Sequence, residues 1–244
     1  MKKHTHYLSF CALFLCTVLL GSRIFSLRQT PPLKVSGTEP IETLQTIILD
    51  AGHGGEDGGA TGVNGALEKN LNLSLTKTLA ALLRYAGYHV VETRTEDMLL
   101  YSPDAQKGHK KQSDLENRLA ITEQYPNSVL ISIHMNTFPN ATCRGTQVWY
   151  SETDPDSFTL ASAVQERVHT LLQPQNNRKI KAATSSIYLL RHATTPAILI
   201  ECGFLSTPDE CEALCNAEYQ KQLALSIFSA ICENIPCESA NGVL

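Results

Sequence analysis

Three stretches of the chain end in residues that can bind a metal or move a proton: Leu49-Asp50-Ala51-Gly52-His53-Gly54-Gly55, Ser132-Ile133-His134-Met135-Asn136 and Leu199-Ile200-Glu201-Cys202-Gly203. Each begins in an aliphatic run that reads as a strand, and in an open parallel sheet the carboxyl ends of the strands line one ligand-binding edge. His53, His134 and Glu201 can therefore converge although they lie far apart in sequence. Glu68, placed to open a helix after Gly65-Ala66-Leu67, completes a His, Glu, His set. That is the donor chemistry of one catalytic zinc ion with an open fourth position for water. Zinc held in this way polarises a carbonyl and lowers the pKa of water toward about 7. A second carboxylate must then take the proton, and Glu201 is placed to do so. A lone histidine after a strand is ordinarily a solvated imidazole; two of them with a carboxylate at equivalent strand ends make a stronger pattern.

Other chemistries fit less well. The glycines around His53 lack the dinucleotide fingerprint, because reading from Gly52 and Gly54 the third position holds Asp57, and no phosphate-binding Gly-x-x-x-x-Gly-Lys-[Ser/Thr] occurs. A Gly-x-Ser-x-Gly nucleophile elbow is also missing. Twenty basic against 24 acidic residues, a formal net charge of −4, argue against a nucleic-acid partner. Cys211 and Cys215 sit at one-turn spacing, half of a thiolate metal site at most, and no second half follows at zinc-ribbon spacing.

The elements that must position these residues alternate. Strands are predicted at Thr46 to Leu49, Tyr88 to Thr93, Val129 to His134, Thr146 to Ser151, Ile187 to Arg191 and Ala197 to Glu201. Amphipathic stretches separate them. One helix starts near Glu68, puts Leu71, Leu75, Leu79, Leu82 and Leu83 on one face and ends at Gly87 as a left-handed cap. In a second, Ser113 and Glu116 are spaced as a capping box, and the helix stops before Pro126. Two more run from about Ser157 to Leu172 and from about Ala217 to Ile235. The fold expected is α/β: a twisted, mostly parallel sheet of about six strands flanked by helices, in a single catalytic domain over residues 46–236 with a tail at 237–244.

Lys2 and Lys3 precede an apolar run from Tyr7 to about Gly21, which reads as an export signal over residues 1–21, either cleaved or retained as a membrane anchor. Residues 22–45, with Pro31, Pro32, Pro40 and Gly37, have linker composition. The chain is therefore expected outside the cytoplasmic membrane, where the cysteines beyond that run can pair in many ways. Asn140-Ala141-Thr142 matches a glycosylation sequon.

At the residues named above the chain resembles the zinc-dependent N-acetylmuramoyl-L-alanine amidases of the type 3 class, which cleave peptidoglycan. The resemblance spans nearly all of Thr46 to Ile235 and rests on ILDAGHGGEDGG at 48–59, Leu67-Glu68-Lys69-Asn70, Thr93-Arg94, LISIHMN at 130–136 and PAILIECGFLS at 196–206, five motifs in family order. It implies zinc ligands at His53, Glu68 and His134 and a catalytic glutamate at Glu201. Two departures, Ala51 where many members carry proline and Cys202 beside the glutamate, remove no ligand. The Lys107-Gly108-His109-Lys110-Lys111 loop, the short N-terminal segment and the lack of wall-binding repeats look like the germination-type amidases of spore formers. Those are implied to strip peptide from muramic acid in the spore cortex before muramic-δ-lactam forms.

The partner implied is peptidoglycan, with a protein that activates or tethers the enzyme, or the membrane through an uncleaved N-terminus. Asn136, Arg94 and Arg191 are candidate substrate contacts, and Arg94 and Arg118 pair either with peptide carboxylates of the substrate or with surface acids. Two alternatives use the same residues differently: a zinc peptidase or carboxypeptidase cutting within the stem peptide, and a wall-binding protein with a dead site. The intact His53, Glu68, His134 and Glu201 set argues against the second.

Overall fold

Strand β1 (Thr46–Ala51) is buried along its whole length, and the reason is its place in the sheet: the strand order is β2-β1-β3-β6-β4-β5. The computed structural model describes residues 45–140 and 142–237. The expected export segment and most of the linker and tail, with Ala141 of the sequon, lie outside the described residues. The other strands are β2 (His89–Glu92), β3 (Ser128–Asn136), β4 (Gln147–Tyr150), β5 (Lys181–Ala182) and β6 (Ala197–Phe204). All neighbouring pairs are parallel except β4 with β6. A chain that alternates strands with helices closes its strands in parallel because each crossover returns it to the same end.

Six helices accompany the sheet among the described residues: α1 (Glu68–Tyr85), α2 (Lys110–Glu123), α3 (Pro155–Leu171), α4 (Tyr188–His192), α5 (Pro208–Cys215) and α6 (Ala217–Asn234). Side chains alternate across a strand, so the sheet has two different faces. Ile47, Leu49, Ile131, Ile133, Ile198 and Ile200 face the larger core, closed by α1, α3 and α6. Ile48, Leu130 and Leu199 face a smaller one with Leu115 and Leu119 of α2 and Leu189 and Leu190 of α4. Asp50, Ser132, His134 and Glu201 share the parity of this second face. The smaller layer leaves their end of the sheet accessible.

Helix α1 ends as the sequence indicates, with Gly87 at φ 94° and Tyr88 N donating to Leu83 O. Two expectations are corrected. Residues 187–191 are not a strand: Tyr188–His192 is a helical turn, because the consecutive Leu189 and Leu190 are both buried and a strand would point them to opposite sides. The capping box is not formed, since α2 already begins at Lys110. Ser113 Oγ instead accepts from Ser102 N, and Glu116 accepts from Gln112 Nε2. The short β5 and helix α5 were not anticipated, although Pro208 at the first helical position followed by Asp209 and Glu210 is a start signal.

Candidate active site

Beyond β1 the chain must turn at once, and His53 does so at φ 61°, the one positive φ among the described non-glycine residues. β2 and β3 lie on opposite sides of β1. The β1/β3 boundary is thus a topological switch point, where parallel sheets open a crevice at their carboxyl ends. His53 leaves β1 at that crevice, His134 stands on β3, and Glu68 arrives on the first turn of α1. Their donor atoms all lie within 4.8 Å of one another. His53 Nε2 is 3.3 Å and His134 Nδ1 3.0 Å from the same Glu68 oxygen, Oε1.

Glu68 is fixed on every side. Oε1 also accepts from Met135 N at 3.1 Å and Asn72 Nδ2 at 3.4 Å, and Oε2 accepts from Ala60 N at 2.8 Å. Burial would raise its pKa, but the two histidines outweigh that and hold the carboxyl well below the usual carboxylate range. Burial by itself would lower the His53 pKa; Glu68, and Asp57 with Oδ2 2.9 Å from Nδ1, raise it instead. Two glycines make room for these side chains. A Cβ on Gly52 would stand 2.2 Å from the His134 ring, and one on Gly59, at φ 66°, would stand 2.6 Å from Glu68 Oε2. Three N and O donors gathered within 4.8 Å, in a backbone cleared around them, could hold a metal ion.

Glu201 pairs with His134 across the β3/β6 ladder, so the two side chains stand next to each other on one face. Between His134 and Asn136 the register shifts: β6 advances from Glu201 to Phe204 against two residues of β3, a bulge at the end of the site. Oε2 of Glu201 is buried without a hydrogen-bond partner among the described residues, and burial raises the carboxyl's pKa. The cleft in front of it is lined by His53, His134, Lys111, Leu115, Tyr188 and Leu199, among others.

The expected substrate contacts do not assemble there. Arg94 is 2% exposed and spends its guanidinium on the carbonyls of Ala51, Gly52, Lys69 and Glu96. Arg191 is exposed but lines a separate depression with Glu152 and Thr153. Asn136 ends β3 with its carbonyl accepting from Leu205 N, and it is not among the residues lining the cleft. Arg118 pairs not with surface acids but with buried ones: Nη1 is 2.6 Å from Asp50 Oδ1 and Nε 2.8 Å from Asp114 Oδ2.

Residues 47–233 match the protein family described as N-acetylmuramoyl-L-alanine amidase, Amidase_3. The chain belongs to that family. The germination-specific N-acetylmuramoyl-L-alanine amidase of Bacillus subtilis is 34% identical over 236 residues, 95% of this chain and 95% of that one. Among solved structures, the CwlD amidase from Clostridioides difficile, determined in complex with the GerS lipoprotein, aligns with a TM-score of 0.74 and 36% identity, covering 78% of this chain and 98% of that chain. The amidase AmiC2 of Nostoc punctiforme aligns with a TM-score of 0.67 and 29% identity over 78% and 96% of the two chains.

In this amidase Cys202 follows Glu201 but turns away from the cleft into the larger core, with no exposed surface, and burial raises its pKa well above the ordinary thiol value. A buried protonated thiol is inert. Brief alkylation of the native protein is therefore expected to label the exposed Cys215 and spare Cys202, read by peptide mass spectrometry; prompt Cys202 labelling would contradict its burial. Asn72, Asp57 and Asp50 were missed as site residues. Asn72 carries a signal: a polar residue four positions after Glu68 and next to Leu71 on the buried face of α1.

Proposed function

We propose that this amidase is a zinc enzyme that hydrolyses the amide between the lactyl group of N-acetylmuramic acid and L-alanine in peptidoglycan. The observation that carries the reading is the donor set of His53, Glu68 and His134 with Glu201 beside it. Two ligands bound at 2.0–2.1 Å in a tetrahedron stand about 3.3 Å apart, and the separations of the two histidines from Glu68 Oε1 are 3.3 and 3.0 Å. Two imidazoles and a carboxylate are also the ligand types of catalytic zinc. When bound, zinc acts as a Lewis acid toward the amide carbonyl and acidifies water.

The chain's own residues do the rest. His53, Glu68 and His134 hold the ion. Glu201 takes the proton of the attacking water and returns it to the alanine nitrogen as the bond breaks, acting as general base and then general acid. Leu115, Tyr188 and Leu199 give the cleft an apolar wall. Lys111 at the rim, 3.5 Å from Asp57, places positive charge near the entrance.

The likeness to the B. subtilis germination enzyme along 95% of both chains supports a role in the spore cortex, outside the cytoplasmic membrane. The C. difficile complex supports a lipoprotein as the partner that activates or tethers it. Among the described residues no helix is long and apolar enough to cross a membrane. Incubating the protein with peptidoglycan, with and without a chelator, is expected to release stem peptides with a free L-alanine amino terminus and leave the glycan intact. Chelation should stop the reaction and zinc restore it. New amino termini within the stem peptide would identify a peptidase instead, and cleavage indifferent to chelator would end the zinc reading.

A further inference from the structure

His53 occupies a left-handed backbone conformation at φ 61°, which is strained for a non-glycine residue and persists only where its surroundings impose it. Two buried guanidinium groups supply that constraint. Arg118, from α2, donates from Nη2 to His53 O at 2.8 Å and from Nη1 to Ala51 O at 2.9 Å, while Nη1 also meets Asp50 Oδ1. Arg94, following β2, donates from Nε to Ala51 O at 2.8 Å and from Nη2 to both Gly52 O at 3.0 Å and Lys69 O at 2.8 Å. The carbonyls of Ala51, Gly52 and His53 are all taken, and Arg94 joins them to the residue after Glu68.

We infer that Arg118 and Arg94 are positioning residues that preorganise the metal ligands: Arg118 holds the His53 carbonyl, and Arg94 locks the His53 loop to the helix turn carrying Glu68. Neither guanidinium needs to touch substrate or metal. Each works because a rigid planar fork can bridge two carbonyls in fixed geometry, which the point charge of lysine cannot reproduce. Both contacts reach ligands through backbone atoms, so composition of the ligand set alone does not reveal them. The inference rests on the zinc reading above.

The test is zinc affinity, measured on folded Arg118→Lys and Arg94→Lys proteins by competition with a chromophoric chelator at neutral pH and well below their melting temperatures. Loss of outer-shell support typically weakens metal binding about tenfold to a hundredfold, and that loss is expected for each variant with charge conserved. Tyr88→Phe serves as the control, because it removes the hydroxyl donating to Ile235 O at 2.7 Å, on the other side of the sheet. It should lower stability and leave zinc affinity within about twofold. If either folded lysine variant binds zinc as the parent does, or if Tyr88→Phe weakens zinc equally, the inference is overturned. Should Arg118→Lys fail to fold, Arg94→Lys, which forms no direct carboxylate pair, decides alone. A parent protein that binds no zinc would defeat the zinc reading itself, an outcome distinct from these.

Discussion

Glu201→Gln is expected to give a folded protein that binds zinc as the parent does and turns over peptidoglycan about 10²–10⁴-fold more slowly, the usual contribution of a positioned acid or base. The expectation follows from where the carboxylate stands. Glu201 is outside the set whose donor atoms gather within 4.8 Å, yet it is the direct ladder partner of His134. One of its oxygens is buried without a hydrogen-bond partner among the described residues. Glutamine keeps the shape and removes the proton acceptor. Glu68→Gln should behave differently: it withdraws the negative charge that both histidines face, so zinc and activity fall together. Metal content and initial rate, measured on the same preparations, separate the two roles. A Glu201→Gln enzyme retaining more than about a tenth of the parental rate would sink the assignment.

How much of this was legible beforehand depends on whether a residue acts through its place on a strand or through its partner. The convergence of His53, His134 and Glu201 needed only that three strands run parallel and end at one edge, and alternation of elements already implied that. Glu68 needed one helix start, fixed by the Gly65-Ala66-Leu67 approach. Arg94 and Arg118 were different. Nothing local distinguishes an arginine that will grip backbone carbonyls from one that will meet substrate, because its partners lie 43 and 68 residues away at Ala51 and Asp50. The one clue at Arg118 was its neighbourhood, next to Leu119 and one turn after Leu115, on the side of α2 that must be buried. The false strand at 187–191 has a related origin. Its apolar run was too short for periodicity to separate a strand from a helical turn, and only the burial of both leucines decides it.

Removing the cation beneath the site should have the largest effect on stability. Arg118 is 2% exposed and stands between Asp50 and Asp114, and Asp50 is further held by Ser132 Oγ at 2.6 Å and Thr93 Oγ1 at 2.7 Å. Burial pushes the Asp50 carboxyl up, but Arg118 and the two hydroxyls outweigh it and hold the pKa at about 2. Arg118→Met fills the space while leaving two buried carboxylates without their cation, and breaking a buried pair in this way costs about 3–5 kcal/mol. For a domain of this size that corresponds to a fall in Tm of roughly 6–20 °C. The sign of the pH dependence makes the cause identifiable. In the parent the folded-state pKa of Asp50 lies below the unfolded value of 3.8, so its stabilisation is fully present above that value and lost as pH falls toward about 2. In Arg118→Met only the Ser132 and Thr93 hydroxyls still oppose burial, so the folded-state pKa of Asp50 rises and its stabilising contribution at neutral pH shrinks. The gap between the two proteins should therefore be widest near neutrality and narrow as pH falls, closing only toward pH of about 2, where the parent's folded-state Asp50 is itself protonated. Thermal melts of both in the presence of chelator, so that loss of metal from the histidines does not intrude, measure it. A gap that stays constant with pH would show that lost packing rather than the stranded carboxylate is responsible.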